Sequence, residues 1–251
     1  MRALVLTASL LGLSSLAAPA AAAPWEVIVN PYFMAPYSDG KFGVGELQTN
    51  IGSSPADVFS KLNWGVMGAV EVSNDDWSLV LDANYLNIDV TNDDTRNILL
   101  NGHQAAYTVM LMKRIDPRAE IYVGYKVTDF GLQLDCNTVC PQPLDGAVPT
   151  PGLTGASRNR SWHEPLVGIR FRSELSEKWD VMVMADVGGF SVGSDISANV
   201  WPQIGYRIGK GASLLAGYRL IYVQYDEGEG RERFLFDAVT HGPTLGLEFR
   251  F

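Results

Sequence analysis

After its first sixteen residues the chain has no apolar run of about 18 or more residues, the length that a membrane-crossing helix needs. Positive charge is also scarce. Lysine and arginine number 19 against 28 aspartates and glutamates, a formal net charge of −9, which argues against a nucleic-acid surface. Only two cysteines occur, Cys136 and Cys140. Zinc needs more ligands than their neighbourhood offers, and a redox Cys-x-x-Cys pair is spaced differently. Gly43 and Gly45 open no strand-to-helix unit, so no nucleotide site is expected, nor any other cofactor or metal. There is no repeat of fixed period and no interior linker, which points to one domain. What the chain does have is glycine, 25 residues, and 10% aromatics, a composition suited to strands joined by tight turns.

The two ends carry the clearest signals. Arg2, the apolar stretch Leu4 to Leu16 and the small residues Ala20, Ala21 and Ala22 form the pattern of a secretory signal peptide. Cleavage is expected after Ala22, giving a signal at 1–22 and a mature domain at 23–251. In an exported chain Cys136 and Cys140 then read as a local disulfide. The other end alternates strictly, with Leu245, Leu247, Phe249 and Phe251 on one face and Thr244, Gly246, Glu248 and Arg250 on the other. Transmembrane β-barrels alternate in this way between lipid and lumen. The tail resembles the C-terminal signature of bacterial outer-membrane barrels, in which a final aromatic is read by the assembly machinery.

Period-two alternation predicts ten strands, at about 25–34, 62–73, 77–89, 98–115, 120–134, 161–175, 178–187, 195–208, 213–225 and 234–251. Four connections are tight and polar: Asn74 to Asp76, Asp116 to Arg118, Ser176-Glu177 and Gly209 to Gly211. They alternate with connections that are mostly longer, as short periplasmic turns alternate with extracellular loops. The Gly188 to Ser194 connection is the shortest of the outer set. Lys41 to Ile51 could form a further strand or an outer β-extension. Ser54 to Lys61 reads as one capped helical turn. A split at Gly242-Pro243 would add a strand, so eight or twelve remain alternatives to ten. The expected fold is an all-β, antiparallel, up-and-down transmembrane barrel.

The faces of the strands divide by chemistry. Val167, Ile169 and Phe171 oppose Arg170, Arg172 and Glu174, and Trp77, Leu79, Leu81, Ala83 and Tyr85 oppose Ser78, Asp82 and Asn84. A soluble barrel would place the apolar face inside. The signal peptide, with aromatics such as Trp25, Trp77, Trp179, Trp64 and Tyr85 near strand ends, favours the inverted arrangement. The lumen then holds a charge network of Glu71, Asp82, Glu120, Lys126, Arg170, Arg172, Glu174, Asp180, Asp186, Arg207, Arg219, Glu248 and Arg250. Charges confined in a narrow barrel pair with one another, since an isolated buried charge is costly. The network either plugs the lumen or lines a small constriction.

Candidates for chemistry are few. His103 and His163 fall near outer strand ends, where Asp93, Asp94 or Asp226 could share a rim, and Ser161 shares a face with His163. No motif specific to a hydrolase accompanies them, so a rim enzyme is the third reading and no catalytic residue is assigned.

Gly217-Tyr218-Arg219, Asp186-Val187-Gly188-Gly189-Phe190 and the stretch Gly242-Pro243 to Phe251, taken with the signal peptide, resemble small Gram-negative outer-membrane barrels of the opacity-protein-like group. The resemblance implies residence in the outer membrane, contact with its lipids and lipopolysaccharide, and transient engagement of the barrel-assembly machinery. It is specific for class and location and not for activity; the leading expectation for the chain is a structural or surface-interaction role, with a narrow channel for small solutes or apolar molecules second.

Overall fold

A computed structural model describes residues 25–44, 47–89, 98–136 and 155–251. The expected signal peptide at 1–22 and Cys140, and with it the expected Cys136–Cys140 disulfide, lie outside the described residues, as do Asp93 and Asp94. The elements run in the order β1 (Glu26–Met34), β2 (Tyr37–Val44), β3 (Leu47–Ser53), α1 (Pro55–Lys61), β4 (Leu62–Ser73) and β5 (Trp77–Asp89). They continue with β6 (Ile98–Asp116), β7 (Ala119–Cys136), β8 (Gly155–Glu174), β9 (Trp179–Val192), β10 (Ser194–Gly209), β11 (Ala212–Glu227) and β12 (Phe234–Arg250). Ten of the strands close an antiparallel barrel in the order β1, then β4 through β12, and β12 pairs back onto β1. The ten-strand expectation describes this barrel. The β2–β3 hairpin stands outside it, formed by the segment that the sequence left open as an extra strand or an outer extension.

β12 explains how the hairpin attaches. Its lower part, Thr244 to Arg250, pairs with Met34 to Ile28 of β1, and its upper part, Phe234 to His241, pairs with Val44 to Tyr37 of β2. The strand is continuous through Gly242-Pro243 but changes partner there. A Cβ on Gly242 would lie 2.0 Å from the Ala35 carbonyl oxygen, so only glycine lets the two strands pass this closely. α1 then leads the chain back to β4. It is a short helix with a capping box, Ser54 and Asp57 satisfying each other's backbone N–H groups. Those bonds to Ser54 hold the Asp57 carboxyl below the usual carboxylate range.

The wall is a complete ladder only in its lower half, the end with the tight turns. Pairing of β1 with β4 stops at Pro31–Gly68, and pairing of β8 with β9 stops at Leu166–Gly188. Proline cannot donate to a ladder, and Pro31 and Pro165 stand at these two points. Above them β6, β7 and β8 run on as strands of 19, 18 and 20 residues, about twice the 9–11 that a tilted membrane strand requires. The gap between β8 and β9 is closed by a strained hairpin. Phe190 and Ser191 have positive φ, a rare conformation for a bulky residue, and Gly193 at φ +81 turns the chain beside the His163 carbonyl. The Gly188 to Ser194 connection is therefore no open loop: β9 reaches Val192 and β10 begins at Ser194.

Burial is inverted relative to a soluble barrel. Leu79, Leu81, Val123, Ile169 and Leu245 are exposed on the outer surface, whereas Arg170 is 2% exposed and Glu164 is 0%. Inside, Tyr32, Met110, Tyr122, Leu166, Met184 and Trp201 pack at mid-height. Higher up, Trp162, Val223, Tyr225 and Phe234 pack with Phe42, Phe130 and Phe236 into an aromatic cap between the extended strands.

Two glycines separate close packing from simple composition. Gly242→Ala forces a Cβ against the Ala35 carbonyl, whereas Gly209→Ala meets nothing within 4 Å. Overpacking of this kind costs about 1–3 kcal/mol. Gly242→Ala is expected to lower the temperature at which the folded, fast-migrating species is lost on detergent gels, and Gly209→Ala to leave it unchanged.

Candidate functional site in the barrel lumen

The charged residues of the inward faces occur in four groups stacked along the barrel. The lowest lies at the tight-turn mouth. Arg250 donates to Glu248 at 2.8 Å and faces Glu26 at 3.5 Å, and Arg207 pairs with Glu174 at 3.1 Å. Asp180 lines the same open vestibule, a volume of about 820 Å³.

The second group lies above that vestibule. Arg170 donates from Nε to Glu120 at 2.5 Å and from both terminal nitrogens to Glu71 at 2.7 and 2.8 Å. A planar guanidinium offers its donors in this fork geometry, which lysine cannot copy. Arg172 adds a bond to Glu71 at 2.9 Å, Arg114 faces Glu120 at 3.6 Å, and the Ser78 hydroxyl donates to Glu120 at 3.2 Å. Glu71, Glu120, Arg170 and Ser78 are all buried. Together they form a septum, whose Glu71 lines both the vestibule below and the pocket above.

The third group spans the middle. Tyr32 donates to Asp82 at 3.1 Å, and Arg219 donates to the Tyr32 oxygen at 2.8 Å and to Asn199 at 2.9 Å. Asn199 and Tyr122 both donate to Asp186 at 2.9 Å. The Arg219 guanidinium also sits 4.5 Å from the Trp201 ring centre, a cation–π contact. Near the top, Lys126 pairs with Glu164, which also accepts from the hydroxyls of Ser194 and Ser197. This group fastens the strained β9–β10 hairpin to β8.

Sequence reasoning overlooked Glu164, the most buried acid of the set, although it has the same parity on β8 as Arg170 and Arg172. Alternation was the signal that could have found it. The same parity rule links Tyr122 to Glu120 and Lys126. Parity also groups Tyr32 with Glu26 and Asn30, and Trp201 with Ser197, Asn199 and Gln203, but an aromatic at such a position reads equally as lumen packing or as girdle.

The rim candidates are not brought together. His103 meets Asp129 at 2.6 Å, and its ring stacks on Tyr85. His163 packs its ring against Tyr125 on the outer face of β8. Asp226 is held instead by Arg233, at 2.5 and 2.7 Å, and that guanidinium keeps its carboxyl below the usual range. His241 lies between Tyr37 and Tyr218 and hydrogen-bonds the Tyr218 hydroxyl at 2.6 Å. Ser161 shares the outward face of β8 with His163, and no hydrogen bond joins them among the described residues. All three histidines therefore pack against tyrosines.

No family model and no curated protein matches the chain. Solved structures do. The outer-membrane protease OmpT of Escherichia coli aligns at 10% identity over 90% of this chain and 96% of its own, with a TM-score of 0.50. The attachment invasion locus protein Ail of Yersinia pestis aligns at 10% identity over 90% and 98%, with a TM-score of 0.38. Neisserial surface protein A gives 9% identity, 90% and 97% coverage, and 0.35. These neighbours are outer-membrane β-barrels of Gram-negative bacteria. At such identities the likeness is one of fold.

The septum makes a quantitative contrast available. Removing one partner of a buried, hydrogen-bonded ion pair costs about 3–5 kcal/mol, because the remaining charge stays buried. Arg170→Ala should destabilise the folded barrel by about that much in urea titrations. Arg207→Ala, whose Glu174 partner is exposed at the mouth, should cost under about 1 kcal/mol.

Proposed function

We propose that this chain is an integral outer-membrane β-barrel whose lumen is closed by its own side chains and whose role is structural or surface-interacting rather than catalytic. The observation that carries the reading is the pairing of an apolar outer wall with a buried Arg170–Glu71–Glu120 septum. Aromatic residues flank the apolar wall: Trp25, Trp77, Trp179 and Phe251 are exposed at the tight-turn end, and Trp64 and Tyr125 higher up. That is how girdles mark the two interfaces of a bilayer. The tall upper strands would then stand outside the cell, where the aromatic cap holds them together as a platform for contacts.

The remaining assignments follow from this placement. The signal peptide directs export, and the face Leu245, Leu247, Phe249 and Phe251 of the closing strand serves the barrel-assembly machinery. Lipids and lipopolysaccharide contact the outer wall. A narrow channel is the second reading, favoured by the thinness of the septum: Glu71, Arg172 and Glu248 border both the lower vestibule and the cavity above it.

Planar-bilayer recordings separate the two. The purified barrel is expected to show no steady unitary openings, and Arg170→Ala, if it remains heat-modifiable, to show them. Reproducible openings in the unmodified protein would overturn the closed-lumen reading. Recovery of the protein from the soluble periplasm would overturn the membrane placement itself.

A further inference from the structure

Strand pairing between β8 and β9 ends at Leu166–Gly188. Pro165, the next residue up β8, has no N–H with which to extend the ladder. Above this break the β9–β10 hairpin lies directly against β8. A Cβ on Gly193 would come within 2.1 Å of the His163 carbonyl oxygen, and one on Gly188 within 2.9 Å of that of Pro165. Hydroxyl groups fasten the hairpin there. Ser194 and Ser197 both donate to Glu164, Ser197 at 2.7 Å, and Lys126 pairs with the same carboxylate. Glu164, Ser194 and Ser197 are at most 1% exposed.

The fastened segment is strained. Phe190 and Ser191 hold φ of 52° and 59°, and the register of β10 on β9 slips between Ser194 and Ile196. Non-glycine residues keep such conformations only where their surroundings enforce them. The outer face of the hairpin is apolar, with Phe190, Val192 and Ile196 exposed. One face thus suits lipid, and the other is tied to a single buried carboxylate.

We propose that the segment Gly188 to Ser197 is a strap across a side door in the wall, with Glu164 as its latch. Release lets the strap swing outward and relaxes Phe190 and Ser191. It breaks no ladder between β8 and β9, which pair only up to Leu166–Gly188. The door opens from the outer leaflet onto the pocket above the septum. That pocket is lined by Lys126 of the latch, by Leu166 at the end of the ladder and by Val223, the partner of Ser197 on β11. The strap rests on the outer-membrane placement proposed above and goes beyond it, giving the lumen an entrance that bypasses the septum.

The test places one reporter thiol in the pocket. Val223→Cys, a near-isosteric change, is made in a barrel carrying Cys136→Ser and Cys140→Ser and reconstituted in lipid nanodiscs. Labelling is followed by mass spectrometry with two reagents. Methyl methanethiosulfonate is small and neutral and partitions into lipid; its trimethylammonioethyl analogue is charged and does not. With the latch intact, both should label slowly. Ser194→Ala cuts one tie and leaves the Lys126–Glu164 pair in place. It should speed the neutral reagent about tenfold, the worth of one hydrogen bond to a carboxylate, and leave the charged reagent slow. Unchanged neutral labelling in heat-modifiable Ser194→Ala barrels would overturn the strap, as would fast neutral labelling with the latch intact. Equal acceleration of the charged reagent would assign the change to general loosening and overturn it too. Should Ser194→Ala not fold, Ser197→Ala decides by the same readings. Failure of the unmodified barrel to enter nanodiscs would instead overturn the membrane placement, and the strap with it.

Discussion

The structure depends on the pairing of charge inside a wall that is apolar outside. Arg170, 2% exposed, holds two carboxylates, Glu71 and Glu120, that approach from β4 and β7. Each of these ions would be costly alone in a narrow lumen. Together they satisfy one another: Glu120 is the neighbour of Arg170 on the adjacent strand β7, while Glu71 ties β8 to β4 across the barrel. The wall supplies hydrogen bonds between neighbouring strands; the septum supplies the contacts that fix its diameter.

The two halves of the molecule solve the filling problem differently. Below, paired ions line the vestibule and cross the lumen above it. Above, where the strands outrun the apolar band, the interior is filled by Trp162, Tyr225, Phe234 and their aromatic neighbours. The upper part is in effect a two-layer sandwich on top of a barrel. One sheet is built from β4 to β8 and the other from β9 to β12 with the β2–β3 hairpin at its edge. The strained β9–β10 hairpin and its Glu164 anchor join the two sheets on one side, and α1 lies on the other.

Alternation along the strands revealed much of this and left out a definable part. The period of two is set by backbone geometry, so residues such as Leu79 and Arg170 declared their faces without any structure. Height and partner are tertiary quantities. Nothing in the spacing of Glu71, Glu120 and Arg170 says that they meet at one level, or that Arg219 belongs to a different tier. Parity also could not distinguish an inward Trp162 in an aromatic cap from an inward Arg172 at the septum, because both obey the same rule. The β2–β3 hairpin was faint for another reason. It is rich in glycine and polar residues, with Phe42 as its contribution to the aromatic cap, so no sustained alternation marked it. The partner change of β12 at Gly242-Pro243 left a trace in the sequence, but a Gly-Pro pair marks a strand break as readily as a strand that continues.

That partner change also sets the order in which the chain can reach its final form. β12 is the last strand made, and its two halves must meet β1 and β2, which come from near the start of the chain. Loop-closure entropy rises only logarithmically with length, so the separation adds little to equilibrium cost but slows the search. Until closure, β1 and β12 are bare edges with unpaired donors and acceptors, open to pairing with other chains. One strand therefore both seals the wall and carries the outer hairpin, so a change at its partner switch touches the cylinder and its outer face together.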